Sequence, residues 1–350
     1  MLTGGDWTKT TFVDDLARRV TQGDIRALAR VCRFIDDQRA GYRELLRDLY
    51  PHGKAAWIVG VTGSPGAGKS TLTDALVGHF RERDWRVAVV AIDPSSPFSG
   101  GAFLGDRIRL QRHFEDPQVF IRSLATRGAL GGLSRSTQDT IVAAAAWQAH
   151  VVIVETVGVG QDELDITRAA DTTCVVVAPG MGDDIQATKA GILEAADVFV
   201  VNKADRDGAD AAVRDLEAML ALAAPVSKPS AIHAGHHARW FAPPSEAATG
   251  WTPPIVRAVA TRGDGVAELV NQLERHRAHL TTTGEGVTRR RARAELLLMT
   301  TVQSELVKEL TDRFSSNVSE LVDRIERSEL DPYTAADALL QRMGASLPPA

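Results

Sequence analysis

The segment that most constrains the fold runs from Gly63 to Ser70 and reads Gly-Ser-Pro-Gly-Ala-Gly-Lys-Ser. A short apolar run at 57–62 precedes it, and residues with helical spacing follow it. Glycines let a backbone turn tightly against a polyphosphate. The N–H groups at the start of the following helix attract negative charge. The pattern therefore predicts a phosphate-binding loop, the P-loop, in preference to an ordinary glycine-rich turn.

The polar residues of this segment match the chemistry of a bound triphosphate. The Lys69 ammonium is placed to reach the β- and γ-phosphates, and the Ser70 hydroxyl is placed to bind Mg²⁺. Backbone N–H groups would contact the other phosphate oxygens. The candidate phosphate-binding residues are Gly63, Ser64, Pro65, Gly66, Ala67, Gly68, Lys69, Ser70 and Thr71.

Strand-like and helix-like segments alternate from Trp57 to about Gln272. Strands are predicted at 57–62, 87–92, 119–123, 150–155, 173–178, 197–201 and 255–260, and helices at 70–83, 136–148, 184–195, 210–223 and 265–280. This alternation predicts an α/β fold: a mostly parallel P-loop nucleotide-triphosphatase sheet flanked by helices, with ligands at the carboxyl ends of the strands. We expect an N-terminal helical extension (1–53), a nucleotide domain (54–282) and a C-terminal helical arm (283–350).

A second motif, Asn202-Lys203-Ala204-Asp205, follows the predicted strand at 197–201. The Asp205 carboxylate can accept hydrogen bonds from both N1–H and the 2-amino group of guanine. Adenine has neither group and would leave this acceptor unpaired. The Lys203 stem can lie on the base, and Asn202 can tie the surrounding loops together. The motif therefore favours guanine, and with it GTP and GDP. The Gly263-Asp264-Gly265 turn is a weaker candidate for the other wall of the base site.

The segment 151–158 is a third motif, in which an apolar strand ends in Glu155 and Gly158 follows. The Glu155 carboxylate can hold Mg²⁺ through water, and the Gly158 N–H can contact the γ-phosphate. The next residue is Val159, which cannot polarise water, and Gln161 lies two positions further on. We therefore predict slow hydrolysis by the isolated chain and faster hydrolysis when a partner completes the site.

Two further acidic residues flank a Pro-, Ser- and Gly-rich loop. Asp93 ends the strand predicted at 87–92, and Asp106 ends the loop that follows. Both are candidate ligands on the metal side of the site. Capping of a helix or turn is the alternative for each of them, and for Asp106 taken alone it is favoured.

Composition excludes several functional classes. Lys and Arg number 40 and Asp and Glu 45, a net charge of −5, so the whole chain offers no basic field for nucleic acid. Cys32 and Cys174 are the only cysteines and form no Cys-x-x-Cys motif, which fits a reducing cytoplasm. No signal peptide is evident, and the most apolar region, 141–154, is too short and polar to cross a bilayer.

The segment 225–253 is predicted to be a long surface loop. Its histidines, His233, His236 and His237, could bind a metal, although a solvated loop is the favoured interpretation.

The C-terminal residues 290–345 are amphipathic and helical in pattern. Such an arm could pair with a partner or a second subunit, or it could pack on its own domain. We expect the cluster of Arg289, Arg290, Arg291 and Arg293 to be a solvated helix start rather than a nucleic-acid patch.

Together these motifs resemble one known family. The segments that carry the resemblance are 60–71, 93–97, 104–107, 127–132, 154–161, 182–192 and 331–336, and the similarity extends from about residue 13 to the C-terminus. They are similar to the MeaB/MMAA family, formerly called ArgK. Its members are GTPases that chaperone adenosylcobalamin-dependent acyl-CoA mutases, mainly methylmalonyl-CoA mutase.

The resemblance also implies roles for individual residues. Asp93, Asp106 and Glu155 would surround Mg²⁺, and 93–109 and 156–163 would be the first and second switches. A third switch, 178–189, would relay partner binding through Gln186 and Lys189. Val259 and Ala260 replace the usual Ser-Ala of the base-site wall, and the histidine-containing loop at 230–250 has no evident counterpart.

By the same resemblance, the protein would be a cytoplasmic homodimer joined through its C-terminal arm. It would gate adenosylcobalamin loading and protect or restore a mutase, with a cobalamin adenosyltransferase as an indirect partner. The chain has no Asp-x-His-x-x-Gly motif for binding cobalamin itself. Three alternatives remain open: a GTPase that inserts a metal, a kinase, which Asp205 argues against, and a nucleotide-dependent scaffold with little turnover.

Overall fold

The computed structural model describes residues 9–93, 110–125, 134–156, 162–180, 196–223, 250–342 and 344. Its centre is a sheet of seven strands in the order β3-β2-β4-β1-β5-β6-β7, in which every neighbouring pair is parallel. The strands are β1 (Trp57–Gly63), β2 (Val87–Asp93), β3 (Val119–Ala125), β4 (Val151–Thr156), β5 (Thr172–Val177), β6 (Val198–Asn202) and β7 (Ile255–Ala258). The predicted α/β fold is thereby confirmed.

Helices precede, separate and follow the strands along the described part of the chain. They are α1 (Lys9–Thr21), α2 (Ile25–Asp36), α3 (Tyr42–Leu49), α4 (Lys69–Arg81), α5 (Arg135–Ala146), α6 (Asp162–Ala169), α7 (Ala209–Ala223), α8 (Val266–Thr282), α9 (Glu285–Arg313), α10 (Ser315–Glu326) and α11 (Pro332–Arg342). The predicted helix at 184–195 lies outside the described residues.

Both faces of the sheet are covered, which explains why its central strands are apolar throughout. Every residue of β1, β4, β5 and β6 is buried. Strands buried on both faces need continuous apolar sequence, because neither set of side chains reaches water. Helices α4 and α8 share one hydrophobic cluster with the sheet, while α5, α6 and the N-terminal helices share another.

The N-terminal helices are part of this core. Leu28, Val31 and Leu45 belong to the same buried cluster as Ile58 of β1 and Ala88 of β2. The Asp24 carboxylate caps α2 by accepting hydrogen bonds from the N–H groups of Arg26 (2.8 Å) and Ala27 (3.1 Å).

The chain forms two compact units, residues 1–296 and 297–350. In the second unit, α10 and α11 contact each other, Leu321 and Ala335 are buried, and Arg342 pairs with Glu320 at 3.3 Å. The domain limits expected from sequence, at 53/54 and 282/283, remain a prediction. Among the described residues, no helix has the length and apolar character needed to cross a membrane.

The start of α9 is anchored to the sheet, contrary to the expectation of a solvated arginine cluster. The Arg289 guanidinium donates to both carboxylate oxygens of Asp197, at 2.7 Å each, and it also pairs with Glu285. Arg293 pairs with Asp171 at 2.8 Å. These two aspartates lie just before β6 and β5. Arg290 and Arg291 are exposed, so the expectation holds for them but is wrong for Arg289 and Arg293.

A buried charge network surrounds Asp197. Burial alone would lower the pKa of Arg289, but the hydrogen bonds and charges of Asp197 and Glu285 outweigh it and raise that pKa. His276 is fully buried beside Asp197, and burial lowers its pKa to about 4. Arg289 therefore supplies the positive charge that Asp197 needs in this interior.

Replacing Arg289 with alanine should destabilise the first unit. The change leaves the buried Asp197 carboxylate without its bidentate partner, which costs about 3 kcal/mol of unfolding free energy. Urea denaturation of the full chain measures the loss. Arg290→Ala is the matched control, because Arg290 is exposed on the same helical turn. Equal stability of the two variants would contradict a structural role for the Arg289–Asp197 pair.

Candidate functional site

The P-loop connects the end of β1 to the start of α4. Gly63 has φ +130°, and a Cβ there would lie 2.0 Å from the Val176 carbonyl oxygen of β5. Gly68 has φ +91°, and a Cβ there would lie 2.4 Å from Asn202 Nδ2. These are the positions where the loop requires glycine, because the left-handed backbone and the close neighbours exclude a side chain. The loop is thereby held against the carboxyl ends of β5 and β6.

Lys69 lies across the base of this loop. Its ammonium donates to the carbonyl oxygens of Gly63 (2.6 Å) and Ser64 (3.0 Å), and the residue is only 5% exposed. Ser64 and Ala67 are also buried, whereas Pro65 and Gly66 form the exposed tip of the loop. A buried ammonium at a helix N-terminus concentrates positive potential, so the loop is suited to binding an anion.

A hydroxyl and a carboxylate meet beside the loop. Ser70 Oγ donates to Glu155 Oε1 at 2.5 Å, and Glu155 is 3% exposed at the end of β4. Strand register explains the contact, since Glu155 lies opposite Val61 of β1, close to where the P-loop begins. Thr156 Oγ1 donates to Thr62 Oγ1 at 3.0 Å, which ties the ends of β4 and β1 together. The structure thus places two hard oxygen donors, the Ser70 hydroxyl and the Glu155 carboxylate, side by side.

The Asn202-Lys203-Ala204-Asp205 motif begins at the last residue of β6 and joins the P-loop to the loop after β7. Asn202 Nδ2 donates to the Ala67 carbonyl (2.9 Å), and its Oδ1 accepts from the Ala260 N–H (3.1 Å). Lys203 has φ +57°, and its ammonium donates to the Gly66 carbonyl at 2.7 Å. Asn202 is 2% exposed, so these bonds fix three loops relative to one another.

Asp205 is the exposed member of the motif, and its side chain is 41% accessible. It lies 3.7 Å from Arg262, which also pairs with Asp264 at 2.9 Å. The Val259 N–H donates to the Asp264 carbonyl at 2.9 Å, closing the turn in which Arg262 sits. Arg262 was absent from the residues predicted for the site, because a single arginine beside a Gly-Asp-Gly turn forms no distinctive pattern.

The structure therefore brings the P-loop, Glu155, Asn202, Lys203 and Ala260 to one end of the sheet. Several other predicted residues cannot be placed: Asp106, Gly158, Gln161, Gln186 and Lys189 lie outside the described residues, as does the side chain of Asp93. The histidines at 233, 236 and 237 lie outside them as well. Within the described part of the chain, no group of three or more His, Cys, Asp or Glu residues is arranged to hold a metal ion.

Comparison with known proteins agrees with this geometry. Residues 26–315 match the model of a family described as methylmalonyl-CoA mutase-associated GTPase MeaB. A relative from Pyrococcus abyssi, whose name describes it as a GTPase, is 43% identical over 333 residues, covering 95% of this chain and 97% of the relative. The mouse mitochondrial methylmalonic aciduria type A homolog is 28% identical over 348 residues, covering 94% of this chain and 79% of the relative.

A solved structure shares the fold over its full length. The crystal structure titled LAO/AO transport system kinase aligns with 99% of this chain and 100% of that one, with a TM-score of 0.64 and 24% identity. At this identity the likeness concerns the fold alone. The family match over most of the chain and the archaeal relative decide the assignment. This chain belongs to the MeaB family of P-loop GTPases, binds guanine nucleotide and hydrolyses GTP.

Proposed function

We propose that this GTPase is a nucleotide-dependent chaperone of an adenosylcobalamin-dependent acyl-CoA mutase, gating cofactor loading and protecting or reactivating the mutase. The observation that carries the proposal is the family match over residues 26–315, because that family is described by its association with methylmalonyl-CoA mutase. The mouse relative named for methylmalonic aciduria supports the same class of client. A cytoplasmic location and an indirect link to a cobalamin adenosyltransferase belong to the same proposal.

The phosphates of GTP would lie in the P-loop. In this proposal the N–H groups of 63–71 and the Lys69 ammonium contact the phosphate oxygens. Lys69 stabilises the charge that develops as the γ-phosphate leaves. The position of its ammonium, 2.6 Å from the Gly63 carbonyl, supports this role because it places the charge at the centre of the loop.

The oxygen ligands beside the loop fit Mg²⁺. The Ser70 hydroxyl and the Glu155 carboxylate are hard donors of the kind that Mg²⁺ prefers, and they lie within 2.5 Å of each other. We assign Ser70 and Glu155, together with Asp93 and Asp106, as the residues that hold it. When bound, Mg²⁺ would neutralise charge on the β- and γ-phosphates. Ser70 and Glu155 would keep it beside Lys69.

The guanine base would bind between the 202–205 motif and the loop after β7. In this proposal Asp205 accepts the two guanine N–H groups, the Lys203 stem covers one face, and Val259 and Ala260 form the other wall. The hydrogen bonds from Asn202 to Ala67 and from Ala260 to Asn202 support it, since they hold the base loop and phosphate loop at a fixed separation.

The residues outside the described ranges keep the roles expected for them. Gly158 would contact the γ-phosphate, Gln161 would belong to the second switch, and Gln186 and Lys189 would relay partner binding. Because Val159 cannot activate water, we expect slow hydrolysis by the chain alone and acceleration by the mutase.

We also propose that the C-terminal arm joins two copies of this chain. Leu298, Val302 and Leu306 recur every four residues on α9 and are 61%, 40% and 46% exposed. Residues at this spacing share one helix face. An exposed apolar stripe of this kind fits pairing with an equivalent helix better than it fits water.

The proposal is tested by measuring GTP hydrolysis with and without the acyl-CoA mutase of the same organism. We expect the mutase to raise the rate about tenfold or more, since a completed switch positions the attacking water. ATP in place of GTP should give no stimulation. A mixture of the mutase with the Lys69→Ala variant identifies hydrolysis that does not come from this chain. An unchanged rate, without complex formation in GDP or a GTP analogue, would exclude that mutase as the client.

A further inference from the structure

A cavity lies at the amino ends of the strands, opposite the end of the sheet that carries the nucleotide site. Its volume is about 380 Å³, and its lining includes residues that immediately precede three strands: Ala56 before β1, Arg86 before β2 and His150 before β4. We call it the amino-edge pocket. The P-loop begins at the other end of β1, about 20 Å away at the usual rise per strand residue. A ligand bound here would therefore leave the P-loop free.

The walls of the amino-edge pocket are mostly apolar and include one indole. Ala56, Ala145 and Ala149 supply small side chains, and Trp85 supplies the indole. Trp85 stacks on Phe80 with ring centroids 5.3 Å apart and an interplanar angle of 1°. The Trp85 carbonyl accepts a hydrogen bond from Arg81 at 2.8 Å. The indole also stacks with the His150 ring, with centroids 5.9 Å apart and an interplanar angle of 18°. It is thus held in place between its neighbours, and its edge offers a bound ligand a fixed apolar contact.

The charged groups of the amino-edge pocket are all cationic. Arg86 and Arg277 line it, and none of the described residues that line it is acidic. Within the described part of the chain, neither guanidinium forms an ion pair. Arg277 lies over the rings of Trp57 (5.2 Å) and Trp85 (5.9 Å), and Arg86 lies over Trp147 at 5.0 Å. Two arginines without carboxylate partners beside one cavity create a positive potential that attracts anions.

His150 adds a hydrogen-bond donor to this wall. Its Nδ1 accepts from the Arg86 N–H at 2.9 Å, so in the neutral ring the proton resides on Nε2. Burial lowers the pKa of His150, and the charges of Arg86, Arg277 and Arg81 lower it further. The ring is therefore neutral at physiological pH, and its Nε2–H is a donor in a positively charged surrounding.

From these observations we infer that the amino-edge pocket binds a small organic anion that has a compact apolar body and a carboxylate or phosphate head group. The apolar body would lie against the alanines and the edge of Trp85. The head group would face Arg277 and the His150 ring. Guanidinium groups suit both head groups, because their paired N–H donors match two oxygens. This inference is independent of the proposed chaperone role.

Calorimetric titration of the GDP-saturated protein with two aromatic anions, benzoate and phenyl phosphate, tests the inference. Saturating GDP keeps the probes out of the P-loop. We expect saturable binding of at least one probe with a Kd below about 1 mM. Inorganic phosphate, which lacks the apolar body, and neutral benzamide, which lacks the charge, should each bind at least about tenfold more weakly. The ratio of the Kd values of benzoate and phenyl phosphate reports which head group is preferred.

Matched variants locate the binding. Arg277→Gln removes the charge and keeps most of the stem, and it should weaken the tighter anion about tenfold or more. Arg275→Gln is the control, since Arg275 is exposed on the same helix and, among the described residues, its guanidinium bonds to Gln272 alone. Thermal unfolding of both variants verifies the fold. The inference is overturned if neither anion saturates, or if the two variants bind the tighter anion as well as the parent chain does.

Discussion

Replacing Asp205 with asparagine is expected to convert guanine preference into xanthine preference. The carboxylate is proposed to accept hydrogen bonds from N1–H and the 2-amino group of guanine, and charged hydrogen bonds contribute about 1.5–3 kcal/mol each. In asparagine an NH2 group replaces the carboxylate oxygen that accepts from the guanine 2-amino group, so a donor faces a donor. GDP affinity should therefore fall about a thousandfold. Xanthine carries a carbonyl in place of the 2-amino group, so the same amide complements it and XDP should bind more tightly to the variant.

Calorimetric titration with GDP and XDP measures both changes. Asp210→Asn is the matched control, because Asp210 is also an exposed carboxylate paired with an arginine, Arg257, and has no proposed contact with the base. It should alter GDP affinity by less than about threefold, as exposed ion pairs contribute little. An Asp205→Asn chain that still prefers GDP, or an equal shift in the Asp210→Asn chain, would exclude Asp205 as the guanine acceptor.

Lys69→Ala should reduce GTP turnover about a thousandfold. In the proposed mechanism this ammonium stabilises charge on the transferring γ-phosphoryl group, and loss of one such donor costs about 10²–10³ in kcat. Loss of ground-state phosphate binding adds to the effect at low GTP. Lys69 is buried and donates to two P-loop carbonyls. A cation from solvent would therefore reach the position of its ammonium only if the loop rearranged.

Single-turnover hydrolysis, with the protein in saturating excess over GTP, isolates the chemical step in this comparison. Lys54→Ala removes an exposed lysine just before β1 and should leave the rate unchanged. Thermal unfolding tests whether the Lys69→Ala chain remains folded. A folded Lys69→Ala chain with less than about a tenfold loss would rule out the catalytic role of Lys69.

The strands could be predicted from the sequence because they are buried on both faces. Runs such as Trp57–Gly63 and Val151–Thr156 are apolar almost without interruption, and all seven predicted strands lie within two residues of the observed ones. Their order in the sheet could not be predicted by the same reasoning. The order β3-β2-β4-β1-β5-β6-β7 depends on the paths of the connections, which periodicity does not report. The short helix α6, Asp162–Ala169, was missed between two strands.

The candidate site was predictable wherever a local motif carried the chemistry. The P-loop residues and Glu155 could be predicted in this way, since each lies where a strand ends, and the structure brings Ser70 and Glu155 into contact. Contacts between distant segments were not predictable. The hydrogen bonds of Asn202 to Ala67 and Ala260 join three loops, and their partners lie 135 and 58 residues away. Arg289 and Arg293 were misread for the same reason, because their aspartate partners are far away in the sequence.

The anchoring of α9 determines where this protein can be cut. A chain that ends at residue 283, or a fusion that replaces the chain from that point on, lacks Arg289 and Arg293. The carboxylates of Asp197 and Asp171 then remain in the interior without these ion-pair partners. A chain that ends near residue 296 retains both arginines and corresponds to the first compact unit. The separable part of the arm thus begins partway along a continuous helix, and a chimera that exchanges arms between relatives should be joined there.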